Sequence, residues 1–310
     1  MVGRRLKFDE IIRNNNDERN KSLSLQLIIN LKRKLMNTLS DKLTDLYRPL
    51  WSNLFAELQS HGKKTQYPFL LAVARHEKDS CNWVPKYEEW YTKADLKVMI
   101  FGQEPHNWVK DEKDDNGKED LDFTQRAYEE FFENKYVLTE QGGFWSHDEI
   151  AAGNHFFRWG CNGIMSGIVD QILKPNYPGK KVSMLWNNIS KLSTMKGGPV
   201  DGEIHAIERE FFHVIPKEIE ILKPDIIVFL TGPGENDYYG YILENFHLKG
   251  EPSSLGNIPV HDLAKLPLEG VKLAYKTYHP NAYGKDESFH WQFYQAILDD
   301  IKAHLGEIIK

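Results

Sequence analysis

Four short segments of the chain carry the polar side chains that acid–base chemistry and recognition of a polar ring need. They are Gly102-Gln103-Glu104-Pro105, Asn187-Asn188, Thr231-Gly232-Pro233-Gly234 and His279-Pro280-Asn281. Together they supply a carboxylate, amides and an imidazole, a set that can position water, read a polar ring and stabilise a departing anion. A single asparagine or histidine at a strand end is as often structural. Only the combination therefore points to chemistry.

Each of these segments follows an apolar run of strand length, and the runs lie near residues 96–101, 182–186, 226–230 and 271–277. The connections between the runs are far longer than hairpins and carry helical patterns, as parallel strands require. The carboxyl ends of parallel strands meet at one edge of the sheet. We therefore predict a three-layer α/β/α fold whose short, mostly parallel, four-stranded sheet brings the polar segments together.

Helical patterns surround these strands. Apolar residues spaced by four predict a first helix, through Leu27, Leu31, Leu35 and Leu39. Further helices are predicted over 43–60 and, more briefly, over 68–75. We accordingly divide the chain into an N-terminal helical extension, residues 1–92, packed on a main domain, residues 93–310.

Within the main domain, helices are predicted over 124–136, over the glycine-containing stretch 151–173, and after Asp286, which is suited to cap the last helix. The segment 110–120 contains no apolar residue. It cannot enter a core, and we expect a solvated loop.

The composition, 41% hydrophobic and 27% charged residues over 310 positions, is typical of a globular protein with a substantial core. A net charge of -6 argues against a generally basic nucleic-acid binder but leaves room for a local basic groove. The two cysteines, Cys81 and Cys161, form no framework, so we expect packed thiols in a reducing compartment. The sequence shows neither a signal peptide nor an apolar run of membrane length, and we expect a cytoplasmic protein.

The motifs resemble those of the uracil-DNA glycosylase superfamily. Gly102–Asn107 looks like that family's Gly-Gln-Asp-Pro-Tyr-His motif, Met184–Asn187 resembles its Leu-Leu-Leu-Asn strand, and His279–Asn281 resembles the start of its His-Pro-Ser motif. A further strand and the closing helix follow in the family's order, at Ile226–Leu230 and Phe289–Ile301. The resemblance implies hydrolysis of the N-glycosidic bond of a flipped uracil, or a 5-modified uracil, in single- or double-stranded DNA, with no metal or cofactor.

The resemblance also implies a role for each matching residue. Glu104 would position the hydrolytic water and stabilise the sugar cation. His279 would donate a hydrogen bond to the base carbonyl as the base leaves as an anion. Asn187 would read the Watson–Crick edge of the flipped base, assisted by the backbone around Gly102 and Gln103.

The sequence departs from the family at several positions. Glu104 is one methylene longer than the family's Asp, which moves the carboxylate by about an ångström and could cost around a hundredfold in rate. His106 replaces a Tyr that walls off the 5-position of the base, so we expect a pocket that tolerates 5-substituents unless Trp108 fills the space. Phe123 is the candidate for the family's stacking Phe, and Tyr283 for the side chain that wedges into the duplex.

Lysines near these motifs are candidates for contacts with DNA phosphates, although scattered surface lysines are an equal alternative. They are Lys180, Lys181, Lys191, Lys196 and Lys285, of which we expect Lys191, Lys196 and Lys285 at the DNA. The turn at 231–234 could hold a phosphate on its amides, but a plain turn is favoured. Three further histidines show no metal-ligand spacing: His61, His155 and His290.

The expected partner is uracil-containing DNA and the expected state is a monomer. Two other functions stay open. The fold could serve as a non-catalytic module that binds nucleic acid or a free base, which would retard oligonucleotides in a gel without releasing a base. It could also belong to a hydrolase of free nucleosides.

Overall fold

The computed structural model describes residues 38–73, 87–106 and 121–309. Its strands are β1 (Leu96–Gly102), β2 (Tyr136–Leu138), β3 (Gly143–Trp145), β4 (Val182–Asn188), β5 (Ile226–Leu230), β6 (Ser253–Ser254), β7 (Leu263–Lys265) and β8 (Leu273–Thr277). Six of them form the central sheet, in the order β4-β1-β5-β8-β7-β6, and β2 and β3 form a separate antiparallel pair.

The four strands predicted from apolar runs make up the parallel part of the sheet. β1 pairs with β4 from Leu96 opposite Val182 to Gly102 opposite Asn188. β1 also pairs with β5, and β5 pairs with β8, both in parallel. The prediction of a mixed α/β fold with a mostly parallel sheet is therefore confirmed.

The predicted count of four strands is wrong, because β7 and β6 extend the sheet beyond β8 in the antiparallel sense. β6 has two residues and both are exposed, and β7 has three residues. Strands this short carry no apolar run or alternation long enough to recognise in a sequence.

The helices are α1 (Leu39–Ser60), α2 (Tyr87–Lys93), α3 (Leu121–Lys135), α4 (156–176), α5 (Gly202–Phe211), α6 (Ile215–Leu222), α7 (Asp237–Asn245) and α8 (Glu287–Ile308). α4 is one helical segment in which π-helical stretches, Phe156–Cys161 and Ile168–Leu173, alternate with α-helical ones, Asn162–Gly167 and Lys174–Asn176. As predicted, Asp286 caps α8, accepting a hydrogen bond from the N–H of Phe289.

A glycine lets α4 lie against the ends of the strands. A Cβ on Gly160 would come within 2.6 Å of Leu230, at the end of β5, and within 2.8 Å of Pro280, just after β8. Contacts this short leave no space for a side chain. The start of α4, including Phe156, is thereby held over the carboxyl edge of the sheet.

α1 packs against the rest of the described structure by its buried side. Thr38 and Asp41 form a reciprocal capping box that starts the helix. Leu43, Tyr47 and Leu54 are fully buried and belong to the same hydrophobic core as the sheet. The predicted helix through Leu27, Leu31 and Leu35 lies outside the described residues.

The prediction of a short helix over 68–75 is wrong for residues 68–73, which form neither a helix nor a strand and are buried in the core. Their backbone groups bond to other segments instead of to each other. The N–H of Phe69 donates to the carbonyl of Lys191 at 2.8 Å, and the N–H of Val73 donates to Oγ of Ser40 at 2.7 Å. Tertiary partners therefore override the local apolar pattern.

Of the two cysteines, Cys161 is a buried free thiol whose pKa burial raises well above its ordinary value, which confirms a packed thiol there. Cys81 and the acidic segment 110–120 lie outside the described residues. In the part of the chain that the structure covers, every helix is too short or too polar to cross a membrane.

Candidate functional site at the carboxyl edge of the sheet

Gly102 marks the point where β1 and β4 end side by side. A Cβ at this position would lie 2.7 Å from Oδ1 of Asn188 and 3.2 Å from the ring of Phe156. Neither neighbour tolerates such an approach, so the glycine allows an amide and an aromatic ring to pack directly on the strand end. Its carbonyl accepts from the N–H of Ile189 at 3.0 Å. The ends of β1 and β4, two of the four predicted to converge, are thus in contact.

Asn188 has an amide that is only partly satisfied. The residue is 2% exposed, and its Oδ1 accepts a hydrogen bond from Nε1 of Trp186 at 3.3 Å. Nδ2 is buried and has no hydrogen-bond partner among the described residues. A buried, unpaired amide donor is costly, and such a group needs a partner to repay its desolvation.

Asn187, the residue predicted to read a base, lies on the other face of β4. Its Nδ2 donates to Oε2 of Glu218 at 3.0 Å, and its Oδ1 accepts from Nζ of Lys191 at 2.6 Å and from the N–H of Asn188 at 2.8 Å. Successive residues of a strand point to opposite faces. The amide of Asn187 is therefore committed to the interior, and the amide beside Gly102 belongs to Asn188.

Lys191 is also in the interior, which corrects its prediction as a phosphate contact. Its ammonium is fully buried and pairs with Glu218 at 2.8 Å. The hydroxyl of Tyr47 donates to the other oxygen of Glu218 at 2.6 Å. Burial lowers the pKa of Lys191, and burial raises the pKa of nearby Glu208 to about 7. We call Tyr47, Asn187, Lys191 and Glu218 the inner network.

His279 follows β8 at the same edge of the sheet. Its Nδ1 accepts a hydrogen bond from the N–H of Asn281 at 3.1 Å, so in the neutral ring the proton sits on Nε2. Burial, with a smaller contribution from His290, lowers the pKa of His279 to about 4. The imidazole is therefore neutral at pH 7 and offers one N–H donor.

Phe156 is the aromatic ring at this edge, and the sequence interpretation missed it. The ring is buried, touches Gly102 as described above, and lies nearly parallel to His279, with centroids 5.9 Å apart. Phe123, the predicted stacking residue, is 47% exposed on α3 and packs edge-on against Tyr67. The only signal in the sequence was the aromatic pair at 156–157 in a helix that contains several glycines. Aromatic residues that simply pack in a core give the same pattern.

Glu104 is half-buried and accepts a short hydrogen bond from the hydroxyl of Tyr238 on α7. Burial raises the pKa of the Glu104 carboxyl, and the Tyr238 hydroxyl opposes that rise. The neighbouring Gln103 donates from Nε2 to the carbonyl of Thr231 at 3.0 Å. Its own carbonyl accepts from the N–H of Ser190 at 2.9 Å. The segment 102–105 is thus hydrogen-bonded to the residues that follow β4 and β5.

The turn at 231–234 is a plain turn, as favoured from the sequence. The N–H of Gly232 donates to the carbonyl of Thr277 at 3.0 Å, and that of Gly234 donates to His261 at 2.7 Å. The carbonyls of the two glycines accept from Nζ of Lys276, at 2.7 and 2.6 Å. Because these amides already have partners, they cannot cradle a phosphate.

The remaining predicted residues lie at the surface. His106 is exposed and its ring lies against Gly197 in the loop after β4. Tyr283 is completely exposed, and Lys196 is exposed as well. Lys285 is exposed, with its ammonium 4.1 Å from the ring centroid of Phe289. These side chains are accessible to a large ligand.

No group of three or more histidine, cysteine, aspartate or glutamate side chains in the described ranges is arranged to hold a metal ion. Comparison with protein-family models and with curated proteins finds no match for the chain. Function must therefore be inferred from the site itself.

Proposed function

We propose that the chain is a DNA glycosylase-like hydrolase of the uracil-DNA glycosylase superfamily, acting on flipped uracil or a 5-modified uracil. In this proposal a three-layer α/β/α main domain, residues 93–310, carries the site, and residues 1–92 form its helical extension. One observation carries the proposal. A half-buried carboxylate, a neutral imidazole donor and an unpartnered amide lie at or just after the ends of three parallel strands of the central sheet, at the same edge.

Asn188 is the group that would read the base. Its free Nδ2 would donate to the O4 carbonyl of uracil, and the second lone pair of Oδ1 would accept the ring N3–H. The indole N–H of Trp186, which donates to Oδ1, supports this orientation of the amide. An amide held in this way pairs with the uracil edge and mismatches the cytosine edge.

His279 would stabilise the departing base. When the C–N bond breaks, the bonding electrons leave with the base, which becomes a ring anion with charge on its carbonyl oxygens. A neutral Nε2–H donor stabilises such charge by hydrogen bonding without giving up its proton. The low pKa of His279 keeps the ring in that form at neutral pH.

Glu104 would act on the sugar. The departing base leaves an oxocarbenium-like sugar cation, and a nearby carboxylate stabilises this positive charge. Water then forms the new C–O bond to C1′, and the carboxylate accepts the proton that the water loses. Tyr238 occupies Oε2 of Glu104, so Oε1 is the oxygen left for the water.

Exposed side chains near the site would contact the DNA, which must release its base from the stack before the base can enter. Tyr283 would be the wedge, and Lys196 and Lys285 would contact phosphates. Their exposure is compatible with these roles.

The test is release of uracil from single- and double-stranded oligonucleotides, read as strand cleavage after alkali. Glu104→Gln and His279→Ala should each lower the rate by about 10²–10³-fold, the usual effect of removing one charge-stabilising group. His61→Ala, at an exposed histidine beyond the end of α1, is the matched control and should leave the rate unchanged. Full activity in both site variants would refute the assigned roles.

A second candidate is a module that binds nucleic acid or a free base without cleavage. The buried, unpartnered Nδ2 of Asn188 supports it as well, because an open amide can bind a base whether or not the base is then released. Such a protein would retard oligonucleotides in a gel with strong salt dependence but release no base.

A further inference from the structure

We propose that Tyr238 is a positioning residue, which holds one oxygen of Glu104 so that the other faces the sugar and its water. This inference rests on the proposed function, because it assigns a new residue to the same site. The direct observation is the short hydrogen bond from the Tyr238 hydroxyl to Oε2 of Glu104. The two residues are far apart in sequence and meet because α7 begins just after the end of β5.

The start of α7 is fixed to the segment that carries Glu104. Asn236 caps the helix and donates from Nδ2 to the carbonyl of Thr231 at 3.2 Å. Gln103, the residue before Glu104, donates to the same carbonyl at 3.0 Å. One carbonyl thus joins the helix of the tyrosine to the loop of the carboxylate, which sets their separation.

The ring of Tyr238 is also held in place by packing against other aromatic side chains. It packs edge-on against Tyr241, with centroids 5.7 Å apart. Tyr241 in turn stacks on His205 at 3.7 Å, and Nε2 of His205 lies 2.8 Å from Glu244. Because the ring of Tyr238 is already fixed by packing, it loses little further conformational entropy when its hydroxyl holds the carboxylate of Glu104.

The contact gives a reason for glutamate at position 104. An aspartate would be one methylene shorter, which draws the carboxylate back from the Tyr238 hydroxyl by about an ångström, enough to lengthen the hydrogen bond beyond its normal range. The extra methylene that distinguishes Glu104 from the family's Asp is the part of the side chain that brings the carboxylate to Tyr238. The two residues therefore form a functional pair.

The hydroxyl also affects the charge of the carboxylate. Burial raises the pKa of Glu104, and the hydrogen bond from Tyr238 lowers it again. Tyr241, on the same helix, feels the negative charge of Asp237, Glu208, Glu244 and, more weakly, Glu104. Removing the Tyr238 hydroxyl leaves burial unopposed, so the pKa of Glu104 should rise.

The experiment compares wild type with Tyr238→Phe, and uses Tyr241→Phe as the control that removes a hydroxyl from the same helix. The glutamate carboxyl ¹³C resonances are titrated by NMR, with Glu104→Gln to assign the signal. In Tyr238→Phe the midpoint for Glu104 should move up by about one pH unit, as expected for loss of one hydrogen bond. In Tyr241→Phe it should move little.

Kinetics with the uracil oligonucleotide provide the second readout. Tyr238→Phe should lower kcat about tenfold with KM unchanged, and should shift the acid limb of the pH profile upward with the titration. In a Glu104→Asp background, where the contact is already lost, the same substitution should change kcat less than twofold.

An unchanged Glu104 titration in Tyr238→Phe would overturn the inference, whether or not the protein releases uracil. An absence of uracil release by wild type would instead refute the proposed function. The NMR result for Tyr238 would still stand, so the two failures can be told apart.

Discussion

The inner network and the edge site, by which we mean Glu104, Asn188 and His279, are both sets of polar side chains withdrawn from water. They differ in whether their members satisfy each other. In the inner network, Lys191 and Tyr47 both bond to Glu218, and Asn187 bonds to Lys191 and Glu218. At the edge, Asn188 keeps a buried donor without a partner among the described residues. Removing one member of such a paired set is costly because its partner is left buried and unpaired, whereas an open group already bears that cost and is available to a ligand.

Two adjacent residues separate the regions. Asn187 and Asn188 have the same side chain and are both buried, yet strand alternation sends one into the core and the other to the edge beside Gly102. Whether an asparagine can bind a ligand here therefore depends on whether its amide already has hydrogen-bond partners. Residue type alone does not decide it.

The largest predicted effect is a loss of stability when a substitution breaks the inner network. Lys191→Met leaves the carboxylate of Glu218 buried without its cation, and should lower the free energy of unfolding by about 3–5 kcal/mol. Urea denaturation measures this loss. Lys196→Met, at an exposed position in the following loop, is the control and should change stability by less than about 0.5 kcal/mol. A loss below about 1 kcal/mol for Lys191→Met would show that the network is not a unit.

The next prediction tests whether the edge site lowers stability in acid. The pKa of His279 is about 4 in the folded protein, below the ordinary value for an unfolded histidine. Between these two pH values the unfolded chain binds more protons, so this residue makes stability fall as the pH decreases through that window. His279→Ala removes the effect. As the pH is lowered from about 6.5 to 4, the free energy of unfolding of the variant should rise relative to that of wild type, by no more than about 3 kcal/mol.

Urea denaturation at a series of pH values measures the difference. His61→Ala, at an exposed histidine, should show no such trend. A constant difference between His279→Ala and wild type across the window would mean that the imidazole is not held neutral.

A smaller effect concerns the 5-position of the base. If His106 sets the size of the pocket, His106→Tyr should reduce excision of 5-hydroxymethyluracil relative to uracil by about 10–200-fold, the range for one small group in a pocket. Competition between the two bases in matched oligonucleotides, with thymine as a third substrate, gives the ratio. An unchanged ratio would show that His106 does not set the size of the pocket.

The strands and their shared edge were predictable because apolar runs and turn residues are local signals. β1, β4, β5 and β8 were placed in this way, and their polar ends do meet. The choice between Asn187 and Asn188 was not predictable, because it depends on the face that each residue presents to a helix distant in sequence.

Phe156 and Tyr238 could not be found from the sequence for a related reason. Each reaches the edge through tertiary packing: Phe156 through the close approach of α4, and Tyr238 through the start of α7. An aromatic residue in an amphipathic helix gives the same pattern whether it packs in a core or borders a site.

The most direct test of the edge site uses the adjacent asparagines as a matched pair. Uracil release and urea stability are measured for wild type, Asn188→Ala and Asn187→Ala. We predict that Asn188→Ala loses about a hundredfold or more in uracil release while its stability changes by less than about 1 kcal/mol. Asn187→Ala should lose about 1–3 kcal/mol of stability, while its folded fraction keeps its activity. The reverse pattern, or no release by wild type, would contradict the assignment.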